Sequence, residues 1–257
     1  MEQILNIYHK EISILYEDDI KTIYQVEHNS IPWYDLRAGR ITSSRFSDIV
    51  QPGTGKPSLN KAKDDLSLGA YTYMDKVIYE RAIGRSTGGF VNNAMQRGKD
   101  LEPQAIEQFE IMTGYRVQPN PFIISKCGMK ASSPDGIVWD GDKLLGPLEL
   151  KCPEDYKAIR YMRMKLEAFD KEYKPQYQGQ IGIGDFKQGF VFSYHPELMP
   201  VLMPVKREDE YIKNMNGAID NFIIKMGETI ERLVNEGLLE PKEDEDIVES
   251  AKKAELA

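Results

Sequence analysis

Apolar positions along the chain keep two different periods. Tyr71, Met74, Val77 and Ile78 fall on one stripe within Ala70 to Ile83. Ala105, Ile106, Phe109 and Met112 do the same within Asn92 to Thr113, and Tyr211, Met215, Ile219, Phe222, Ile223, Met226 and Ile230 do so within Asp209 to Glu236. Spacings of three and four predict amphipathic helices. Pro103 predicts a kink or restart in the second of them. Ile4, Leu5, Tyr8, Ile12, Leu15 and Tyr16 have similar spacing, which predicts one or two helices over residues 2–29. Further helices are expected from Trp33 to near Gly39, over Tyr161 to Phe169 and over Tyr173 to Gly184, where Pro175 suits a first helical position. Thr42-Ser43-Ser44 reads as the cap of a helix SSRFSDIV. Tyr115 to Ser125, Gly189 to Tyr194 and Leu198 to Val205 carry the β-branched and aromatic runs of strands.

Alternation of strands and helices predicts an α/β fold, a central mixed sheet flanked by helices with the site at one end of the sheet. A single domain is expected over residues 1–240: N-terminal helices 1–30, a core 31–206 and a C-terminal helix 207–236. Residues 241–257 are acidic and are expected to be disordered.

The 257 residues allow one large domain with a substantial core. No apolar run approaches a membrane span, and MEQILNIYHKE has no signal-peptide pattern, so a cytoplasmic location is expected. Cys127 and Cys152 are too few for a disulfide framework, and His9, His28 and His195 are too scattered to suggest a zinc site. The net charge of −8 is unevenly spread. Arg37 to Lys99 holds 11 Lys and Arg against 5 Asp and Glu, while Lys206 to Ala257 holds 8 against 14. A basic region can hold nucleic acid while an acidic end sets the total. Within QPGTGKPSLN, Gly53, Gly55 and Lys56 do not make a P-loop, because the spacing and the following Ser or Thr are absent. Lys56, Lys61 and Lys63 are candidates for contacts to backbone phosphates.

The densest chemistry lies between Ala131 and Pro153. Asp140-Gly141-Asp142 is a tight-turn signal between two strand-like runs, ASSPDGIVWDG and PLELKCP. A hairpin turning there sets Asp135 opposite the neighbourhood of Glu149. Glu149 and Lys151 are two apart on a strand and leave the same face. Each piece alone is also what an ordinary turn and a half-exposed strand look like. Together they gather two carboxylates and an ammonium. Converging carboxylates repel unless a cation sits between them, and hard oxygen ligands suit Mg²⁺, with Mn²⁺ as a substitute. A neighbouring lysine can orient or deprotonate an attacking water, which is the equipment of metal-assisted phosphodiester hydrolysis.

These residues resemble the PD-(D/E)xK nucleases, and more narrowly the lambda exonuclease or YqaJ-like viral recombinase family. The matching blocks are WYDLRAGRITSSRFSDIV, QRGKDLEPQAIEQFEIMTG, ASSPDGIVWDG, LELKCP and YQGQIGIG, in the family's order. The resemblance implies a restriction-endonuclease-like core and a Mg²⁺-dependent 5′→3′ exonuclease on double-stranded DNA, leaving 3′ overhangs for phage-type recombination. It implies that Asp135, Glu149, the Leu150 carbonyl and Glu102 hold metal, that Lys151 assists the attacking water and that Gln176 positions it. It puts Arg37 and Ser44 at the positions that bind the 5′-phosphate. The family's usual further aspartate, ten positions before Asp135, is Ser125 here, and Gln180 stands where many relatives have tyrosine. A ring-like homotrimer, DNA ends as substrate and a single-strand annealing protein as partner follow by the same analogy. A repair or structure-specific endonuclease with the same site, or a non-catalytic protein that binds DNA ends, remains open at the level of sequence.

Overall fold

Ten strands among the described residues sort into two mixed five-stranded sheets flanked by helices. This computed structural model describes residues 10–50, 66–87 and 93–240, with Ile4, Ile7 and Tyr8 ahead of them. The expected loop from Gln51 to Asn60, the three lysines there and just beyond it, and the acidic end past Glu240 lie outside these residues.

The first sheet contains β1 (Ile12–Glu17), β2 (Lys21–Val26), β3 (Ile41–Thr42), β5 (Pro121–Ser125) and β6 (Lys130–Ser132), in the order β1-β2-β5-β6-β3. The helices expected over residues 2–29 are thus corrected in large part to a hairpin. Its turn is fixed locally: Asp18 Oδ1 accepts from the backbone N–H of Ile20 at 2.9 Å and of Lys21 at 2.8 Å. That Asp-led turn and the β-branched runs beside it override the helical spacing of Ile12, Leu15 and Tyr16. Helix α1 (Ile31–Arg37), capped by Ser30 accepting from the Trp33 N–H, brings Leu36 and Trp33 onto the cluster of Ile12, Tyr24, Val26, Phe122, Ile124 and Ala131. After β3 the chain makes a 3₁₀ turn, Ser43–Arg45, and then the short helix α2 (Phe46–Val50). Thr42 makes no side-chain cap, because its hydroxyl faces Arg37 and Tyr73 instead.

The second sheet has the order β10-β9-β8-β7-β4, with β4 (Arg116–Pro119), β7 (Gly136–Asp140), β8 (Lys143–Lys151), β9 (Gln188–His195) and β10 (Leu198–Lys206). The run expected as one strand from Tyr115 to Ser125 is broken at Asn120, whose φ is +56°, and its halves join different sheets. One apolar run therefore ties the two sheets together. Helix α3 (Leu68–Ile83) packs with the main core. Helix α4 (Asn93–Thr113) runs through Pro103 as one helix. It lays Ala105 and Phe109 on Val138, Leu148, Leu150, Phe190 and Phe192, with the Phe109 ring 5.6 Å from each of the last two rings.

Helix α5 (Tyr156–Met164) and helix α6 (Leu166–Ile183) meet at Lys165, whose φ is +48°. Pro175 thus lies inside α6 rather than opening a helix; the restart comes earlier, at Leu166. Gly179 lets α6 approach closely, since a Cβ there would stand 2.6 Å from the Phe46 ring. Helix α7 (Asp209–Asn235) buries Ile212, Met215, Ile219, Phe222, Ile223 and Met226 against the main core, as its stripe predicts.

Candidate active site

The hairpin β7–β8 turns at Gly141, which takes φ +58°, and its last pair is Asp140 with Lys143. Gly136 pairs with Leu148, and the Asp135 N–H donates to the Leu148 carbonyl at 3.0 Å. This register puts Asp135 beside β8, where its Oδ2 accepts from the Leu150 N–H at 2.5 Å. Strand alternation divides β8 by face. Leu148 and Leu150 go to the α4 side, while Glu149 and Lys151 face α6.

Glu149 is buried and saturated with donors. Lys151 Nζ and Gln176 Nε2 both reach Oε1, the latter at 2.7 Å, and Gln180 Nε2 reaches Oε2 at 2.6 Å. The i, i+4 spacing of the two glutamines on α6 aims both at one carboxylate. Lys151 also sits 4.6 Å from the centre of the Tyr173 ring. Burial alone would lower the Lys151 pKa; Glu149 and Asp135 outweigh it and hold the ammonium above its ordinary value.

Across β8 the balance is reversed. Asp135, Glu102 and His28 each offer a ligand atom within 4.8 Å of the others. Burial, then Glu149 and Glu102, push the Asp135 pKa well up, and Lys151 and the Leu150 N–H only partly offset this. Burial and Glu149 push Glu102 up against the pull of Lys99. Two such carboxylates with an imidazole nitrogen are a donor set that fits a divalent cation. Glu149 stands outside this trio, held by Lys151 and the glutamines. A cleft of about 1140 Å³ opens over the trio, and Arg97, Lys99 and Lys157 line it with the acids.

His28 was not singled out from the sequence. It sits after β2, and burial holds its pKa below that of an ordinary imidazole, against Pro121 and Glu149. Its Nε2 lies 2.8 Å from Ser133 Oγ, a contact across 105 residues that no local spacing could reveal. Ser125, in contrast, lies at the far end of β5 from Pro121 and bonds to the Lys130 backbone and Cys127.

Arg37 and Ser44 do meet. Arg37 Nη2 donates to Thr42 Oγ1 and to Ser44 Oγ, both at 3.0 Å, and its guanidinium lies 5.1 Å from the centre of the Trp33 ring. Hydroxyls around a guanidinium leave its positive charge for an outside anion. Trp33 in turn donates its indole N–H to Ser133 Oγ at 2.9 Å, and Ser133 contacts His28, so a chain of contacts links Arg37 to the acidic trio.

A model of the YqaJ-like viral recombinase domain matches residues 32–187. The chain belongs to that family. The matched span holds Arg37, Ser44, Glu102, Asp135, Glu149, Lys151 and Gln176, and starts four residues after His28. Among solved structures, the chain is similar to the alkaline exonuclease LHK-Exo of Laribacter hongkongensis, with 27% identity and a TM-score of 0.65 over 81% of this chain and 98% of that one. The same enzyme in complex with dAMP aligns at 26% identity and a TM-score of 0.64, with the same coverage. A phage-related exonuclease from Haemophilus somnus 129PT shares the fold at 15% identity and a TM-score of 0.58, over 76% and 96% of the two chains. No curated protein matches the chain significantly. The fold of these exonucleases is restriction-endonuclease-like, the class that the family resemblance implied. No helix among the described residues is long and apolar enough to cross a membrane.

Proposed function

We propose that the chain is a divalent-metal-dependent 5′→3′ exonuclease that degrades one strand of linear double-stranded DNA and leaves 3′ overhangs. Membership of the YqaJ-like family and the likeness to alkaline exonucleases support a nuclease of the lambda exonuclease type. The observation that carries the reading is the hairpin itself. Asp135, Leu150 and Lys151 line a cleft that carries both acidic and basic side chains, and the buried Glu149 lies beside Lys151 behind it. Asp135, Glu102, Glu149 and the Leu150 carbonyl are the groups that would hold Mg²⁺, with Mn²⁺ as a substitute. When bound, the ion supplies Lewis-acid polarisation of the scissile phosphate.

The chain's own groups do the rest. Lys151 is a charged donor, since its neighbours hold its pKa high; it orients the attacking water and faces the charge that builds on the phosphate. Gln176, already aimed at Glu149, positions that water from α6. Arg37, Thr42 and Ser44 grip the 5′-phosphate left by the preceding cut. Arg97, Lys99 and Lys157 steady the backbone of the entering strand. DNA ends are the substrate, and a homotrimer and a single-strand annealing protein are the assembly and partner this reading expects in the cytoplasm.

The test is digestion of linear duplex labelled at its 5′ or its 3′ ends, with Mg²⁺ or EDTA. A 5′ label should leave as mononucleotide at once, a 3′ label should stay on long strands, and EDTA should stop the release. Cutting of closed circular DNA, or release that begins at 3′ ends, would overturn it.

A further inference from the structure

The acidic trio contains a nitrogen that the nuclease reading above does not use. The His28 ring is tied at one nitrogen: Nε2 faces Ser133 Oγ at 2.8 Å and the Pro121 carbonyl at 3.5 Å. That carbonyl can only accept, so a proton on Nε2 suits both neighbours and leaves the Nδ1 lone pair open. Ser133 is itself held by the Trp33 indole at 2.9 Å, and Trp33 stands on α1, whose N-cap Ser30 lies two residues after His28. One nitrogen of the ring lies within 4.8 Å of two carboxylate oxygens, and a ring held at Nε2 keeps Nδ1 for a metal, which is the arrangement of a metal-binding histidine.

We propose that His28 is a direct ligand of the active-site ion through Nδ1, with Ser133 and Trp33 as positioning residues that set its ring. The proposal rests on the metal-dependent nuclease reading and adds a preference to it. Imidazole nitrogen suits transition ions, whereas Mg²⁺ favours an oxygen shell. With the His28 imidazole among its ligands, the site therefore favours Mn²⁺ over Mg²⁺ more than the same site without it. The nitrogen beside Asp135 and Glu102 comes from the turn after β2, whereas Ser125 at the end of β5 bonds to the Lys130 backbone.

The experiment is electron spin echo envelope modulation on Mn²⁺ bound to the full chain, with Mn²⁺ and Mg²⁺ affinities from calorimetry. Wild type should show ¹⁴N coupling, changing to a ¹⁵N pattern when histidine is ¹⁵N-labelled. His28→Gln should lose the coupling and bind Mn²⁺ about tenfold or more weakly, with a smaller loss for Mg²⁺. Ser133→Ala should keep the coupling and weaken Mn²⁺ by a smaller factor. Wild type that binds Mn²⁺ without histidine coupling overturns the assignment, and needs no variant to fold. His28→Gln with unchanged Mn²⁺ affinity overturns it too, and unchanged Ser133→Ala removes the positioning role. Wild type that binds neither ion sinks the metal-dependent nuclease reading as well.

Discussion

Asp18 and Asp135 are both partly buried carboxylates beside a sheet, and the fold treats them in opposite ways. Asp18, in the β1–β2 turn, accepts from two backbone N–H groups and pairs with Lys21 Nζ at 2.7 Å. Burial works against its ionisation, but Lys21 and the backbone donors outweigh it and pull the pKa down to about 2. Asp135, on the second sheet, is pushed well above the ordinary range by burial and by Glu149 and Glu102. The first charge is answered inside the chain; the second is answered only in part. Arg37 is the mirror image, a cation whose close partners are hydroxyls. Charges completed within the fold hold it together, and charges left incomplete mark where something else binds.

The contrast breaks first at Lys151, whose ammonium pairs with Glu149 and partly offsets the charge of Asp135. Lys151→Ala should cut nucleotide release by roughly 10²–10⁴-fold, the range for a group that handles a proton or charge in the transition state. End-labelled DNA should still bind in a filter or gel assay. Activity within a few fold of wild type would mean that Lys151 serves only to pair Glu149.

Arg37 tests the same idea with the sign reversed. Arg37→Ala should reduce the preference for 5′-phosphorylated over 5′-hydroxyl ends by about tenfold, the worth of one charge-assisted hydrogen bond of roughly 1.5 kcal/mol. The measurement is the ratio of initial rates on the two kinds of end. An unchanged ratio would put the phosphate pocket elsewhere.

Removing the unanswered charge should help the fold while it harms the site. Asp135→Asn keeps an oxygen for the Leu150 N–H and drops the repulsion with Glu102 and Glu149. In EDTA the variant should melt about 2–4 °C above wild type, what roughly 1 kcal/mol of relieved repulsion gives at this chain length. A lower melting point would show that Asp135 is stabilising without an ion, and the comparison with Asp18 would fail.

What was legible in the sequence follows the same division by distance. Asp135, Glu149 and Lys151 lie on two arms of one hairpin, so turn chemistry and period-two alternation were enough to bring them together. Gln176 and Gln180 share a helix face, which fixes their common direction, although only the packing of α6 shows that both reach Glu149. The His28–Ser133 contact joins residues 105 apart and has no local signal at all. The N-terminal strands were hidden because the apolar spacing there is helical over only a few residues, and the Asp18 turn with its β-branched flanks overrides so short a pattern. The break at Asn120 was hidden because a single left-handed residue interrupts an otherwise continuous apolar run.

The smallest effect lies on the completed side of the comparison. A carboxylate with a depressed pKa contributes stability above its unfolded value, near 3.9, and loses it as pH falls through the folded value. For Asp18 that window runs from about pH 5 down to about 2. Asp18→Asn should therefore be less stable than wild type at pH 7, by no more than about 1 kcal/mol for a pair partly open to water. The gap should shrink steadily below pH 5 in urea titrations. A gap of the same size at pH 3 and pH 7 would mean that the turn depends on side-chain shape and backbone hydrogen bonds, which asparagine mimics incompletely, and not on charge. Asp18 would then cease to be the electrostatic counterpart of Asp135, and the unanswered charge at the active site would have to be judged without an internal standard.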